Sequence, residues 1–207
     1  MTLLAALPPA PAESAPLAPA RPSPATLELL ALRRSQKLML IGEPGPSDAE
    51  LEALLRLAAR VPDHGKLGPW RFAIIAGEAR ARLGAALADI IAGDPGMDSA
   101  RLEMERRRFS APACVMVVST AAPHPKIPEW EQLLSSGAVC FSLLTAAHAA
   151  GYAGVWLTEW PAYDERARGV LGLKDGERVA GFVHLGTATQ DASERVRADV
   201  AARISRF

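Results

Sequence analysis

The sequence has few of the residues that mark disulfide-stabilised, metal-binding or strongly charged proteins. Only two cysteines occur in 207 residues, Cys114 and Cys140, and both lie in apolar stretches. This excludes a disulfide framework or a cysteine-based metal site, and we predict two buried, reduced thiols. The histidines are scattered, so we expect no metal. The formal net charge is zero, which gives no indication of binding to nucleic acid or to anionic membranes.

The sequence also lacks a segment suited to a membrane or to secretion. The most apolar helical stretch, residues 138–150, is too short to span a bilayer and contains Ser142, Thr145 and His148. The N-terminus has neither the basic start nor the continuous apolar core of a secretory signal. We therefore expect a cytoplasmic protein without a membrane partner.

The first 24 residues are dominated by alanine and proline, with seven of each. Such a segment cannot build a core, and it has too many prolines for a helix. We predict a flexible tail over residues 1–24, with a processing segment as the alternative. A single domain follows over residues 25–207.

Capping signals and apolar periodicity divide the remainder into helices and strands. Ser47 and Glu50 have the spacing of a capping box, and leucines follow at helical spacing. The apolar run 114–119 is typical of a strand that is covered on both faces. We predict helices over residues 23–34, 47–58, 78–91, 99–107, 130–150 and 164–171, and strands over 70–75, 114–119, 154–157 and 179–185. This order favours an α+β or α/β sandwich around a buried helix 130–150, with a polar arm at the C-terminus.

No glycine-rich phosphate loop follows a predicted strand. Residues 42–46 contain two glycines, but Pro44 and Pro46 remove the backbone donors that such a loop needs, so we interpret this segment as a turn. A dinucleotide fingerprint is therefore absent.

A compact basic group stands at the end of the first predicted helix. Arg33, Arg34, Ser35 and Lys37 supply two guanidinium groups, a hydroxyl and an ammonium within five residues. Guanidinium binds phosphate through two hydrogen bonds, so this group can hold one phosphate monoester. The alternative is a solvated basic end that complements the helix dipole.

Three further segments are candidates for a site. The loop 60–70 is dense in polar groups, including Arg60 and His64, and is either a site loop or a rigid turn before a core tryptophan. The segment 151–160 combines glycines with tryptophans, which can pack on a planar ligand or serve only as core. The segment 126–131 is a helix entry or part of a site.

Taken together and in order, these segments resemble the nitroreductase family, and within it the small YdjA-like NAD(P)H nitroreductases. The similarity extends over residues 27–187. The motifs that carry it are Arg33-Arg34-Ser35, Arg60-Val61-Pro62-Asp63-His64 with Pro69-Trp70, Lys126-Ile127-Pro128-Glu129-Trp130-Glu131, Gly154-Val155-Trp156, and Gly181-Phe182 with Leu185-Gly186-Thr187.

The resemblance implies a nitroreductase-like α+β fold, with a central, mostly antiparallel sheet flanked by helices. It also implies a homodimer with FMN at the subunit interface. The residues implied in FMN binding are Arg33, Arg34 and Ser35 at the phosphate, Arg60 and His64 at the flavin, and Trp156, Leu157 and Thr158 from the strand after the central helix. Leu157 stands where the close relatives carry a basic residue. Lys37 keeps a positive charge that many nitroreductases have two places after the serine.

The function implied by the resemblance is FMN-dependent oxidoreduction with NADH or NADPH as the donor. The acceptor would be a nitroaromatic, a quinone or another conjugated electrophile, reduced in a ping-pong sequence of hydride transfers. The flavin does the chemistry, so no side chain is named as catalytic. Another flavin enzyme on the same fold and a flavin-binding module without turnover remain alternatives. Whether Arg195 or Arg197 reaches the phosphate stays open.

Overall fold

An antiparallel sheet of five strands forms the centre of the structure, a computed structural model that describes residues 3–207. The longest strand, β5 (Arg178–Ala188), pairs with β1 (Ile41–Gly42), β3 (Ala113–Ser119) and β4 (Ala153–Leu157). β3 also pairs with β2 (Trp70–Ala76). The predicted α+β fold with a central antiparallel sheet is thereby confirmed.

Helices cover both faces of this sheet. One face packs against α2 (Asp48–Ala58) and α5 (Glu129–Ala149), and α1 (Pro24–Leu32) lies beside α5. The other face packs against α3 (Glu78–Ile91) and α6 (Arg168–Leu171), with α4 (Ser99–Arg106) against α3.

Strand β3 belongs to both layers of the core, as its continuous apolar sequence predicts. Val115 and Val117 point into the layer that contains α2 and α5. Met116 and Val118 point into the layer that contains α3 and α6. Every residue of β3 is buried, because alternate side chains of a strand point to opposite faces and both faces are covered.

The predicted central helix and the predicted thiols are confirmed. α5 buries eight of its 21 residues. It is long and apolar enough to cross a membrane by length and composition, but here it packs as a core helix against the sheet and α2. Cys114 and Cys140 are both free and buried, and burial raises the pKa of Cys140 to about 12.

The capping box before α2 is also present. The Ser47 hydroxyl accepts from the backbone N–H of Glu50, and the Glu50 carboxylate accepts from the backbone N–H of Ser47. This reciprocal pair satisfies two donors that the helix start leaves open.

The structure differs from the predicted elements at three places. Residues 41 and 42, at the start of the predicted turn 42–46, form the short strand β1, which pairs with Thr187 and Ala188. The predicted helix 164–171 is a 3-10 turn, Glu165–Ala167, followed by the single helical turn of α6. Strand β5 extends three residues beyond its predicted end, because pairing with β1 continues its ladder.

The N-terminal segment approaches α2. Leu4 is 7% exposed and joins the core layer of α2 and α5. The guanidinium of Arg56 donates to the carbonyl of Pro8 over 2.9 Å. A flexible tail over residues 1–24 and a single domain over 25–207 stay predictions.

Candidate anion- and cofactor-binding site

A buried guanidinium nitrogen without a hydrogen-bond partner lies at the end of α1. Arg33 caps this helix, and its guanidinium lies over the Phe141 ring of α5, 5.7 Å from the ring centroid. Within residues 3–207, the Nη1 atom of Arg33 is buried and has no partner. An unpaired buried donor destabilises the folded protein by on the order of 1–3 kcal/mol. A ligand that accepts a hydrogen bond from Nη1 would remove this penalty.

The C-terminal arm brings further positive charge to the same place. Arg34 donates from Nε to the carbonyl of Ser193 over 2.9 Å and lies 3.6 Å from the Glu194 carboxylate. Desolvation, followed by repulsion from Arg197, Arg34 and Arg195, lowers the pKa of Arg33.

Three further arginines therefore contribute positive charge near Arg33, and the Glu194 carboxylate pairs with two of them, Arg34 over 3.6 Å and Arg197 over 3.1 Å. An anion that accepts several hydrogen bonds neutralises this repulsion, and a phosphate monoester has that chemistry. The arm thus carries Arg195 and Arg197 into the electrostatic neighbourhood of Arg33, which local sequence patterns do not reveal.

His148 is a second buried polar group in this region. Burial, followed by the charge of Arg33, lowers the pKa of His148 to about 4, so the imidazole is neutral at physiological pH. Its Nδ1 atom is buried and lacks a partner among residues 3–207. Sequence reasoning missed this residue. Its spacing of two helical turns from Phe141 places both on one side of α5 and is the signal that could have found it.

Gln36 fixes the segment that follows the arginines. Its backbone N–H donates to the carbonyl of Gly154 over 3.0 Å, and its side chain donates to the carbonyl of Gln190 over 2.6 Å. It is therefore bonded to both β4 and the C-terminal arm. Ser35 is partly buried and Lys37 is exposed on either side of it.

The predicted residues of β4 lie next to this segment. The Trp156 indole donates to the carbonyl of Ala180 over 3.1 Å and is 37% exposed. A Cβ at Gly181 would come within 1.9 Å of the indole nitrogen, so only glycine leaves room for it. Leu157 points to the opposite face of the sheet, and the Thr158 hydroxyl bonds to that of Tyr163 over 2.8 Å.

A second group of predicted residues gathers near the start of α5. His64 lies 2.6 Å from the Glu131 carboxylate, joining the loop 60–70 to the segment 126–131. The Asp63 carboxylate accepts from two backbone N–H groups, which makes the loop rigid. The Trp70 indole donates to Ser135 over 3.3 Å. Arg60 is exposed at the end of α2.

Within one chain the two groups are far apart along α5. Phe141, beside Arg33, is ten residues after Glu131, beside His64. At 1.5 Å per residue, this corresponds to roughly 15 Å along the helix axis. His148 is a further roughly 10 Å away on the same basis. The structure thus brings Arg33, Arg34 and Ser35 into one region and leaves Arg60 and His64 in another, and the Trp156 ring lies near Gly137 of α5, between the two.

Both the sequence and the fold match those of known proteins. The family model described as "Nitroreductase family" matches residues 30–187, which is most of the chain. This protein belongs to the nitroreductase family. The family enzymes are oxidoreductases, and the sequence resemblance is thereby confirmed.

Individual relatives agree in sequence and in fold. The chain is 36% identical over 178 residues to the Escherichia coli (strain K12) protein named "Putative NAD(P)H nitroreductase YdjA", covering 82% of this chain and 92% of YdjA. A nitroreductase-like protein from Bacillus cereus superposes with a TM-score of 0.77 at 20% identity, covering 91% of this chain and 99% of the other. A nitroreductase with bound FMN from Bacteroides fragilis superposes with a TM-score of 0.66 at 20% identity, covering 89% and 100%. These two structures share the fold.

Proposed function

We propose that this nitroreductase-family protein is an FMN-dependent NAD(P)H oxidoreductase. The observation that carries the proposal is the buried, unpartnered Nη1 of Arg33 inside a cluster of four arginines. A phosphate monoester satisfies that donor and neutralises the cluster. Two relatives support the choice of phosphate ligand and donor, since one is named for NAD(P)H and the other binds FMN.

Separate groups of residues bind the phosphate and the flavin ring of the cofactor. Arg33, Arg34 and Ser35 bind the phosphate, with Arg195 and Arg197 adding positive charge. Trp156, Leu157 and Thr158 line the flavin. Bound FMN would supply two-electron transfer from NADH or NADPH to a nitroaromatic, a quinone or another conjugated electrophile in a ping-pong sequence. Arg60 would supply a preorganised positive charge beside the flavin.

We further propose that the protein works as a homodimer with FMN at the subunit interface. Its support is the distance between the two residue groups along α5, because Arg60 and His64 reach the same flavin when a second copy supplies them. Uncovered apolar surface lies in the appropriate places: α1 has no buried residue, and the exposed side chains Trp130, Leu134 and Phe141 lie on α5. Several large apolar side chains exposed on neighbouring helices favour a protein interface.

The proposal places the enzyme in the cytoplasm, without a nucleic-acid or membrane partner. It also retains the flexible tail over residues 1–24 ahead of the single domain. Size-exclusion chromatography with light scattering tests the dimer, and a monomer at micromolar concentration would refute it.

Anaerobic titration tests the function. Purified protein is expected to be yellow, and NADH or NADPH should bleach its flavin absorbance with a stoichiometry of one per flavin. Addition of a quinone should restore the absorbance. Yellow protein that neither nicotinamide bleaches would indicate a flavin-binding module without turnover. Colourless protein that does not take up added FMN would refute the proposal.

A further inference from the structure

The chain leaves β4 through a backbone conformation that is unusual for the residue that adopts it. β4 ends at Leu157, and Thr158 and Glu159 follow it. Glu159 has φ 55° and ψ −176°, a combination that is almost confined to glycine because a side chain clashes with the backbone there. Such residues persist only where surrounding contacts hold them, and they concentrate at functional sites. The protein must therefore supply contacts that hold Glu159.

A charge cluster at the end of α4 supplies these contacts. The carboxylates of Glu105 and Glu159 both pair with the guanidinium of Arg108. The side chains of Arg108 and Glu105 are only 11% and 8% exposed, so salt and water screen this cluster little. The Glu159 side chain is thus attached to a fixed point of the protein, an attachment that a glycine at this position would lack.

The residue after Glu159 is attached to the same cluster. The Trp160 indole donates to the Glu105 carboxylate over 3.0 Å, and the guanidinium carbon of Arg108 lies 5.8 Å from the centroid of the Trp160 ring. The Trp160 ring also packs against the core layer of α3 and α6. Two consecutive side chains therefore connect the exit of β4 to one place at the end of α4.

The residues before Glu159 belong to the proposed flavin site and are held less evenly. Leu157 is fixed by its pairing with Phe182 in the sheet. Thr158 lies beyond the strand, and its hydroxyl bonds to that of Tyr163, a side chain that is 73% exposed. An exposed partner constrains Thr158 little. The direction of the chain at Thr158 therefore depends on the dihedral angles of Glu159.

We propose that Glu159 is a positioning residue of the flavin site, whose ion pair with Arg108 holds the glycine-type backbone and thereby keeps Thr158 at the flavin. The inference rests on the proposed function, which places Thr158 at the flavin. Glu159 acts through its neighbour, and its carboxylate takes no part in the reaction.

Three substitutions at one position separate the effect of the carboxylate from that of the backbone. Glu159→Gly removes the ion pair but adopts the observed dihedral angles without strain. Glu159→Ala removes the ion pair and retains the clash. Glu159→Gln retains a side chain that can accept a hydrogen bond from Arg108. Substitution of Arg108 is unsuitable, because it would leave Glu105 buried without its cation and destabilise the whole fold.

The dissociation constant of FMN, measured by fluorescence titration of the apoprotein, should separate these variants. Glu159→Ala should raise it roughly tenfold or more, because alanine relaxes out of the strained conformation. Glu159→Gly and Glu159→Gln should stay within about threefold of the wild-type value, since the first needs no support and the second keeps it. The control is Glu165→Ala, which removes the ion pair with Arg168 at a residue whose φ is not positive and should leave the dissociation constant unchanged.

Hydrogen exchange of the FMN-free protein tests the same device without the cofactor. Amides of residues 156–163 should exchange faster in Glu159→Ala than in the wild-type protein, whereas amides of β3 should not change. Equal exchange would overturn the inference.

Two results of the FMN titration would also overturn it and leave the proposed function standing. The first is an unchanged dissociation constant in Glu159→Ala. The second is an equal rise in Glu159→Gly and Glu159→Ala, which would show that the ion pair does not act through the backbone. A wild-type protein that takes up no FMN would instead refute the proposed function, and this inference with it.

Discussion

Replacing Arg33 with alanine should weaken FMN binding and leave the fold intact. The Nη1 atom of Arg33 is buried without a partner, so FMN phosphate would supply the hydrogen bond that the apoprotein lacks. A hydrogen bond to a charged group contributes about 1.5–3 kcal/mol. At 1.4 kcal/mol per tenfold change, the dissociation constant should rise roughly 10- to 150-fold.

The same substitution should have the opposite effect on the FMN-free protein. Burial and three neighbouring arginines lower the pKa of Arg33, so its charge opposes folding when no anion is bound. Arg33→Ala apoprotein should therefore melt at the same temperature as the wild-type apoprotein or higher, while FMN raises its melting temperature less.

Fluorescence titration of apoprotein with FMN and differential scanning fluorimetry measure both effects. Arg82→Ala is the matched control, because Arg82 is an exposed arginine on α3. The reasoning fails if Arg33→Ala binds FMN as tightly as the wild-type protein. It also fails if the substitution destabilises the apoprotein, since Arg33 would then be a structural residue.

Three further predictions concern the core and the helix start. Burial lowers the pKa of His184 to about 4. The neutral imidazole therefore gives the folded state its full stability above about pH 6.5, and the free energy of unfolding falls as pH drops from 6.5 to 4. This loss amounts to up to roughly 3 kcal/mol. His184→Leu should therefore reduce the decrease in the free energy of unfolding, measured with urea, between pH 7 and pH 4.5. An equal decrease in the variant and the wild-type protein would contradict this. Gly181→Ala should displace the Trp156 indole, change its fluorescence and destabilise the protein by about 1–3 kcal/mol, whereas Gly93→Ala, where a Cβ meets open space, should not. Ser47→Ala should lower the free energy of unfolding in urea by about 1 kcal/mol, because it removes the cap of α2. A decrease of less than about 0.3 kcal/mol would mean that water replaces the capping hydroxyl.

The sequence predicts those elements of the fold whose signals are local. The capping box at Ser47 and Glu50 is a contact between residues three apart in the sequence. The unbroken apolar run of β3 predicts that both faces of this strand are buried. β1 could not be predicted, because a two-residue strand has no periodicity and exists only through its pairing with Thr187 and Ala188. The end of β5 was missed for the same reason.

The candidate site divides along the same line. Arg33, Arg34 and Ser35 are adjacent, so their shared chemistry is visible in the sequence alone. His148 and Arg197 join them only through the packing of α5 and the return of the C-terminal arm. The contacts of Gln36 with Gly154 and Gln190, which hold the segment in place, also connect residues more than 100 positions apart.

The arginine cluster shows how an unfavourable arrangement can indicate function. A fold selected for stability alone would not bury the Nη1 atom of Arg33 unpaired and bring Arg195 and Arg197 towards it from more than 160 residues away. Repulsion and desolvation both disfavour the charged form of Arg33, and an anion bound at this point would offset both effects. This arrangement of positive charge is the physical argument for the proposed phosphate site at the end of α1.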